Sequence, residues 1–273
     1  MSFINNAPIG IFDSGVGGLT VARSIIDQVP NESIIYIGDS RNAPYGEKTL
    51  DEVKNLSINV MDKLVNAGVK MLVIACNSAS SAVYKVALER YEKQMSIPVV
   101  EVIHPAVREA LAVTRNKKIG VIGTKATVDS QSYIRAFKDN DNYNDGIEIF
   151  TKACPDFVKY VEKGIVSGDL LLDTAKRYLA PIKEKNVDTL VLGCTHYPLL
   201  SAVISYVMGS GVTLVSSAEQ TSKDVYSILL NNSIANPNSG NGIYKFYTTG
   251  EEAEFEKLAR RFLGPEVKTV NSI

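Results

Sequence analysis

Two of the three cysteines in this 273-residue chain stand in matching surroundings. Leu72-Val-Ile-Ala-Cys-Asn-Ser-Ala-Ser80 and Thr189-Leu-Val-Leu-Gly-Cys-Thr-His-Tyr-Pro198 share one grammar: a short apolar run, a cysteine, then small polar residues. The pattern reads as a buried strand ending where a helix begins. In an open α/β sheet, that edge is where ligands bind. A free thiol has a pKa of about 8.5, so only a few per cent is thiolate at neutral pH. Backbone N–H groups and a suitable neighbour turn it into a useful base. Two thiols facing one site from opposite sides suit removal of a proton from one face of a carbon and its delivery to the other. That is racemase or epimerase chemistry.

Either cysteine alone has a plainer reading, as a small buried hydrophobe. The hydrogen-bonding residues behind each, Asn77-Ser78 and Thr195-His196, are more than packing requires. The chain has only two histidines. His196 lies two residues after Cys194, close enough to hold a proton or stabilise a thiolate; a structural role in the turn is the alternative. His104 precedes Pro105 and reads as structural. Asp13 ends a strand, where a carboxylate would face the site, or else cap a helix. Tyr45-Gly46 follows Pro44 in a loop, and loops on a rigid scaffold carry binding residues. Glu162, on a short helix after Cys154-Pro155, reads by itself as a solvated carboxylate. Asp13-Ser-Gly-Val-Gly-Gly18 fails the dinucleotide fingerprint, because Thr20 stands where the third glycine belongs, and no Walker lysine follows. Its glycines suit tight turns and close helix–strand packing.

The elements that would position these residues alternate. Strands are expected at 9–12, 33–38, 72–75, 98–103, 118–122, 147–151, 189–193 and 213–216, with an edge strand at 243–248. Helices are expected at 19–29, 49–67, 77–94, 105–113, 128–138, 157–163, 169–185, 198–207, 219–230 and 251–262. Residues 231–241 are rich in Asn, Ser and Gly and read as loop. Near-continuous apolar strands separated by helices argue for α/β architecture with parallel sheets. The alternation restarts near His104. The expectation is two similar α/β domains facing each other across a central cleft, 1–103 plus about 218–273 and 104–217.

Composition narrows the function classes. Hydrophobic residues make up 45% and charged residues 22%, the balance of a globular protein with a full core. The formal net charge of −1 gives no electrostatic footprint for nucleic acid. An odd, sparse cysteine count fits a reducing compartment better than a disulfide framework. The N-terminal residues lack the charged and apolar regions of a signal peptide, and no apolar run approaches a membrane span. We expect a cytoplasmic protein with no membrane or nucleic-acid partner. No Cys-x-x-Cys or other close metal-ligand spacing occurs, and no lysine lies in a recognisable pyridoxal site, so neither metal nor cofactor is expected.

Taken together, the motifs resemble the cofactor-independent aspartate/glutamate racemase superfamily, and within it the glutamate racemases. The resemblance runs nearly end to end, through Gly10-Ile-Phe-Asp-Ser-Gly-Val-Gly-Gly18, Pro44-Tyr-Gly46, Ile74-Ala-Cys-Asn-Ser-Ala79 and Gly193-Cys-Thr-His-Tyr-Pro-Leu-Leu200. It implies that Cys76 and Cys194 are the two acid/bases interconverting L- and D-glutamate. It implies that Asp13, Ser14, Tyr45, Gly46, Asn77, Ser78, Thr195 and His196 bind substrate, Asp13 and His196 also assisting the cysteines. Glu162, in Cys-Pro-x-Phe-Val-x-x-Val-Glu, matches a residue supporting the second cysteine. A homodimer and a role in peptidoglycan biosynthesis are implied as well. One departure is visible: the family usually has threonine after Cys-Asn, and here Ser78 keeps the hydroxyl but loses a methyl. The nearest rival reading is a racemase for aspartate or another amino acid; rivals of another class are a periplasmic-type two-domain binding protein with inert buried cysteines and a racemase-like fold that mainly binds a macromolecule.

Overall fold

The computed structural model describes residues 6–144 and 146–273. Residues 1–5, part of the segment read for targeting signals, lie outside the described residues. The strands are β1 Ile9–Asp13, β2 Ile34–Gly38, β3 Met71–Ile74, β4 Val99–Glu101, β5 Lys118–Gly123, β6 Glu148–Ala153, β7 Thr189–Gly193, β8 Thr213–Ser216, β9 Tyr244–Thr248 and β10 Val270–Ser272. The helices are α1 Leu19–Gln28, α2 Leu50–Asn66, α3 Asn77–Ala87, α4 Ile103–Val113, α5 Lys125–Asp129, α6 Ser132–Lys138, α7 Asp156–Glu162, α8 Asp169–Lys183, α9 Ser201–Met208, α10 Ser217–Asn231 and α11 Glu252–Leu263.

The strands form two wholly parallel sheets, ordered β10-β9-β2-β1-β3-β4 and β6-β5-β7-β8. Successive residues of a strand point to opposite faces, and both faces here are apolar. Ile9, Ile11, Tyr36 and Val73 pack on one side of the first sheet, with α1, α10 and α11. Phe12, Ile37, Leu72 and Ile74 pack on the other, with α2 and α3. Leu190 and Leu192 face α8 and α9 in the second sheet, while Val121 and Val191 face α4 and α6. Burial on both faces explains why the strands read as continuous apolar runs. Local signals set the helix ends. Thr49 and Glu52 form a reciprocal capping box at the start of α2, and Gly68, at φ +78°, stops it.

Several sequence expectations need correction. The segment 243–248 is not an edge strand: β9 lies between β2 and the short β10. The strand expected over 98–103 stops at Glu101, because the Glu101 carboxylate accepts the N–H groups of Ile103 and His104 and opens α4 there. The single helix over 128–138 is two, α5 and α6, divided at Gln131 with φ +55°. The helix expected to reach residue 94 ends as α3 and continues as a wider π turn, Leu88–Lys93. His104 hydrogen-bonds Glu101 through its ring and packs on Tyr84.

Candidate active site

The orders β2-β1-β3-β4 and β6-β5-β7-β8 are the same arrangement. In each, the chain leaves the first strand toward one edge and returns to build toward the other. The carboxyl ends of the two central strands therefore border a crevice at the topological switch point. Asp13 ends β1, and Cys76 follows β3. Thr124 follows β5, and Cys194 follows β7. The two crevices open onto one cavity of about 60 Å³, which both cysteines line.

Cys76 caps the N-terminus of α3. Its sulfur accepts from Ala79 N at 3.5 Å and donates to Ser14 Oγ at 3.6 Å. Burial, and then the nearby Asp13 carboxylate, push the thiol up to about 12, against the smaller opposing pull of Ala79 and Ser14. Asp13 is itself fully buried. Its Oδ2 accepts from Gly15 N at 2.9 Å, while Oδ1 has no hydrogen-bond partner among the described residues. Asp13 does not cap α1, whose N-cap is Gly18. Burial raises its pKa, and the charge of His196 pulls it partly back.

Cys194 has different company. Its sulfur lies 3.8 Å from His196 Nδ1. The Nε2 of the same ring lies 3.3 Å from Glu162 Oε1, within ion-pair range but off the line of a hydrogen bond. Burial disfavours the imidazolium, but Cys194, Glu162 and Asp13 together outweigh it and raise His196 to about 10. His196 is thus a cation at neutral pH. The turn carrying it is pinned from behind: Tyr197 donates its hydroxyl to Cys154 O at 2.8 Å and meets Phe157 edge-on. Cys154 is buried and contributes a carbonyl, not a thiol, to this arrangement.

The two sheets meet with little space between them, and glycine is what lets them. A Cβ on Gly17 would stand 2.4 Å from His196 Nδ1, and one on Gly46 would stand 2.7 Å from Thr124 Cβ. Thr20 Oγ1 donates to Thr195 O at 3.2 Å across the seam. Ser78 Oγ and Thr124 Oγ1 are 2.9 Å apart. Asn77 Oδ1 accepts from Tyr133 OH at 2.7 Å, leaving Asn77 Nδ2 buried without a partner among the described residues. Tyr45 lines the cavity, but its hydroxyl is committed to Asp39 Oδ2 at 2.6 Å. What it and Gly46 can offer is the backbone N–H of a short 3-10 turn, unpaired within that turn.

The structure therefore brings ten of the eleven candidate residues to one cavity wall and sets Asp13 directly behind it. Contributors that escaped the sequence reading include Thr124, Tyr133, Lys125, Glu47 and Lys159. Thr124 alone had a local signal, the Gly-Thr that ends β5 as Cys76 and Cys194 end β3 and β7. Among the described residues, no group of three or more His, Cys, Asp or Glu side chains could hold a metal ion, and no helix is long and apolar enough to cross a membrane.

A paired-crevice α/β protein with a thiol in each crevice corresponds to a known class. Residues 9–222 match the family model described as Asp/Glu/Hydantoin racemase, and the chain belongs to that family of racemases. More particularly, it is 53% identical over 269 residues to the glutamate racemase of Parafrankia sp., covering 98% of this chain and 95% of that one. It is 54% identical to the glutamate racemase of Corynebacterium glutamicum, covering 97% and 95%. The structure is similar to that of the glutamate racemase isoform RacE1 from Bacillus anthracis, with a TM-score of 0.90 at 39% identity over 98% of this chain and 97% of that one. It also resembles the Francisella tularensis glutamate racemase in complex with D-glutamate, with a TM-score of 0.89 at 35% identity over 98% and 97%.

Proposed function

We propose that this chain is a glutamate racemase that interconverts L- and D-glutamate by proton transfer between Cys76 and Cys194, without a cofactor. One observation carries the reading: two thiols, delivered by equivalent strands of two equivalent sheets, line a single cavity. Cys194 takes the α-proton from L-glutamate while Cys76 supplies one to the opposite face; the roles reverse for D-glutamate. As an acid, Cys76 suits its setting, since burial and then the nearby Asp13 carboxyl favour its protonated form. When negative charge reaches the Cys194 sulfur, the imidazolium of His196 stands ready to balance it.

Substrate is held by neutral donors and one carboxyl. The first N–H groups of α3, at Asn77 and Ser78, have no partner inside the helix. With Asn77 Nδ2, the Ser78 and Thr195 hydroxyls and the N–H groups of Tyr45 and Gly46, they suit the two substrate carboxylates. Fixed donors of this kind also stabilise the charge that spreads onto the α-carboxylate as the proton leaves. Asp13 and Ser14 suit the ammonium, and Glu162 holds His196. We divide the chain into two domains, 1–103 plus about 218–273 and 104–217, a reading that the two separate sheets support. We place the enzyme in the cytoplasm as a homodimer, supplying D-glutamate for peptidoglycan.

Circular dichroism of purified protein with L-glutamate, then with L-aspartate, tests this reading. Ellipticity should decay to zero with glutamate and far more slowly with aspartate, before and after dialysis against a chelator. Equal efficiencies would indicate a broad-specificity racemase, and no decay with either would remove the assignment.

A further inference from the structure

His196 is gripped by the other half of the molecule. It sits in the turn after β7, yet two residues packed against its ring, Gly17 and Phe262, come from the segments that build the first sheet. Gly17 closes against Nδ1 with no room for a Cβ. On another side the Phe262 ring meets the imidazole at 5.7 Å between centroids and 83° between planes. Phe262 lies on α11, beyond the stretch 9–222 that the racemase family model covers.

The placement of Phe262 is fixed by α11 and by what anchors that helix. Phe255, Ala259 and Leu263 are buried in the core of the first sheet. The C-terminal end of α11 is tied to α1: Arg23 donates to both Glu266 carboxylate oxygens, each at 2.6 Å, and to Leu263 O. Phe262, next to the buried Leu263, turns the other way and packs against the cores of both sheets. A side chain needed only for the first core would not reach into the second.

We propose that Phe262 is a positioning residue, through which the C-terminal helix of the first sheet sets the orientation of the imidazole that serves Cys194. Phe262 does not line the cavity; its ring contact there is with His196. It acts through His196, so its influence falls on one of the two proton transfers. This rests on the two-thiol reading above.

The expected behaviour is asymmetric at the level of isotope effects. L- and D-glutamate are equally stable, so any variant must lose kcat/KM equally in both directions. Phe262→Ala should lower it about ten-fold, the factor that corresponds to one aromatic pair. The raised barrier is the one at Cys194. The α-deuterium isotope effect on kcat/KM should therefore grow for L-[2-²H]glutamate, whose label leaves at that step. For D-[2-²H]glutamate it should shrink, because its label leaves in the step that no longer limits. Phe262→Tyr keeps the ring and should restore both values to those of the parent enzyme.

The measurement pairs these isotope effects with thermal melting of each variant. If Phe262→Ala lowers kcat/KM and leaves both isotope effects unchanged, the residue is merely structural and the proposal falls. Unchanged kcat/KM overturns it as well. Cys76→Ala and Cys194→Ala supply the separate control: if either variant keeps the parent rate of racemisation, the two-thiol reading itself has failed, whatever Phe262 does.

Discussion

Around Cys76 the polar neighbours are a serine hydroxyl, one helical N–H and, behind them, the buried carboxyl of Asp13. Around Cys194 they are an imidazole and, through it, Glu162. The backbone treats the two thiols alike, each at the mouth of a switch-point crevice in a sheet of the same order. The side chains treat them differently, with a buried carboxyl beside one and an imidazole beside the other. A racemase needs only to lower two transition states, so its two bases need not be housed as mirror images. The scaffold supplies two equivalent positions, and in the proposed reaction local side chains set which thiol rests as the acid.

The comparison breaks most sharply if one thiol is removed. Cys76→Ala and Cys194→Ala should each lower racemisation by at least about 10³-fold in both directions, at the upper end of what a positioned acid/base contributes. The remaining exchange should differ. With Cys194 alone, L-glutamate in deuterated water should slowly acquire α-deuterium without inverting; with Cys76 alone, D-glutamate should. In the parent enzyme the first D-glutamate formed from L-glutamate should carry deuterium, while unreacted L-glutamate does not. Proton NMR of early samples reads all of this. Deuterium entering unreacted L-glutamate as fast as product in the parent enzyme would mean a single exchanging base.

Next come the partners, where pH separates the two ends. His196, raised from 6.5 to about 10, binds its proton more tightly when folded. Its contribution to stability is complete below about 6.5, where the unfolded imidazole is protonated too, and is lost as pH rises through about 10. Activity should fall over the same rise. His196→Gln should cost about 10²-fold in kcat, comparable to loss of one preorganised donor, and should abolish that alkaline limb. Asp13 has a raised pKa, so its burial as a carboxylate disfavours the folded state above its folded pKa, and the penalty is relieved as pH falls through it. Asp13→Asn should therefore raise the melting temperature at neutral pH while lowering activity, a trade common at active sites. If both substitutions destabilised the protein and neither altered the pH profile, the two ends would not differ as described.

How much of this was legible in the sequence follows from how local each signal is. Cys76 and Cys194 stood out because strand, thiol and polar helix start lie within a few residues. The repeat of that unit made the paired sheets readable as well. Asp13, Ser14, Tyr45, Gly46, Glu162 and the binding residues gained a site through the family resemblance; their bare surroundings left other roles open. Tyr133 and Phe262 were not legible, and Thr124 only through the Gly-Thr that ends its strand, because each meets its partner only after the chain has folded across the seam. Thr124 reaches Ser78, 46 residues away, and Tyr133 reaches Asn77, 56 residues away. The edge position expected for 243–248 fails for another reason: Val270–Ser272, which pairs outside it, is three residues long, with two exposed. Nothing in so short a polar stretch announces a strand, so β9 was taken for the edge.

The smallest expected effect lies where the two ends are tied together. Glu47 directly follows Gly46 on the first half, and Lys159 lies one turn before Glu162 on the second. They form an ion pair at 3.1 Å between cavity-lining residues, with both side chains about half exposed. Exposed pairs of this kind are worth about 0.2–1 kcal/mol, and salt screens them. If substrate entry separates the pair, Lys159 is left as a cation facing a substrate with two carboxylates. Glu47→Gln should therefore lower KM about two- to three-fold at low ionic strength, and Lys159→Gln should raise it by a similar factor, within the range of about 1 kcal/mol set by such pairs. Both shifts should vanish at high salt and be equal for L- and D-glutamate, because the entrance meets the substrate before either thiol does. Steady-state kinetics of both enantiomers at two salt concentrations would check this. A change that favoured one enantiomer's KM, or a large fall in kcat, would show that this pair belongs to one thiol's surroundings and not to the passage they share.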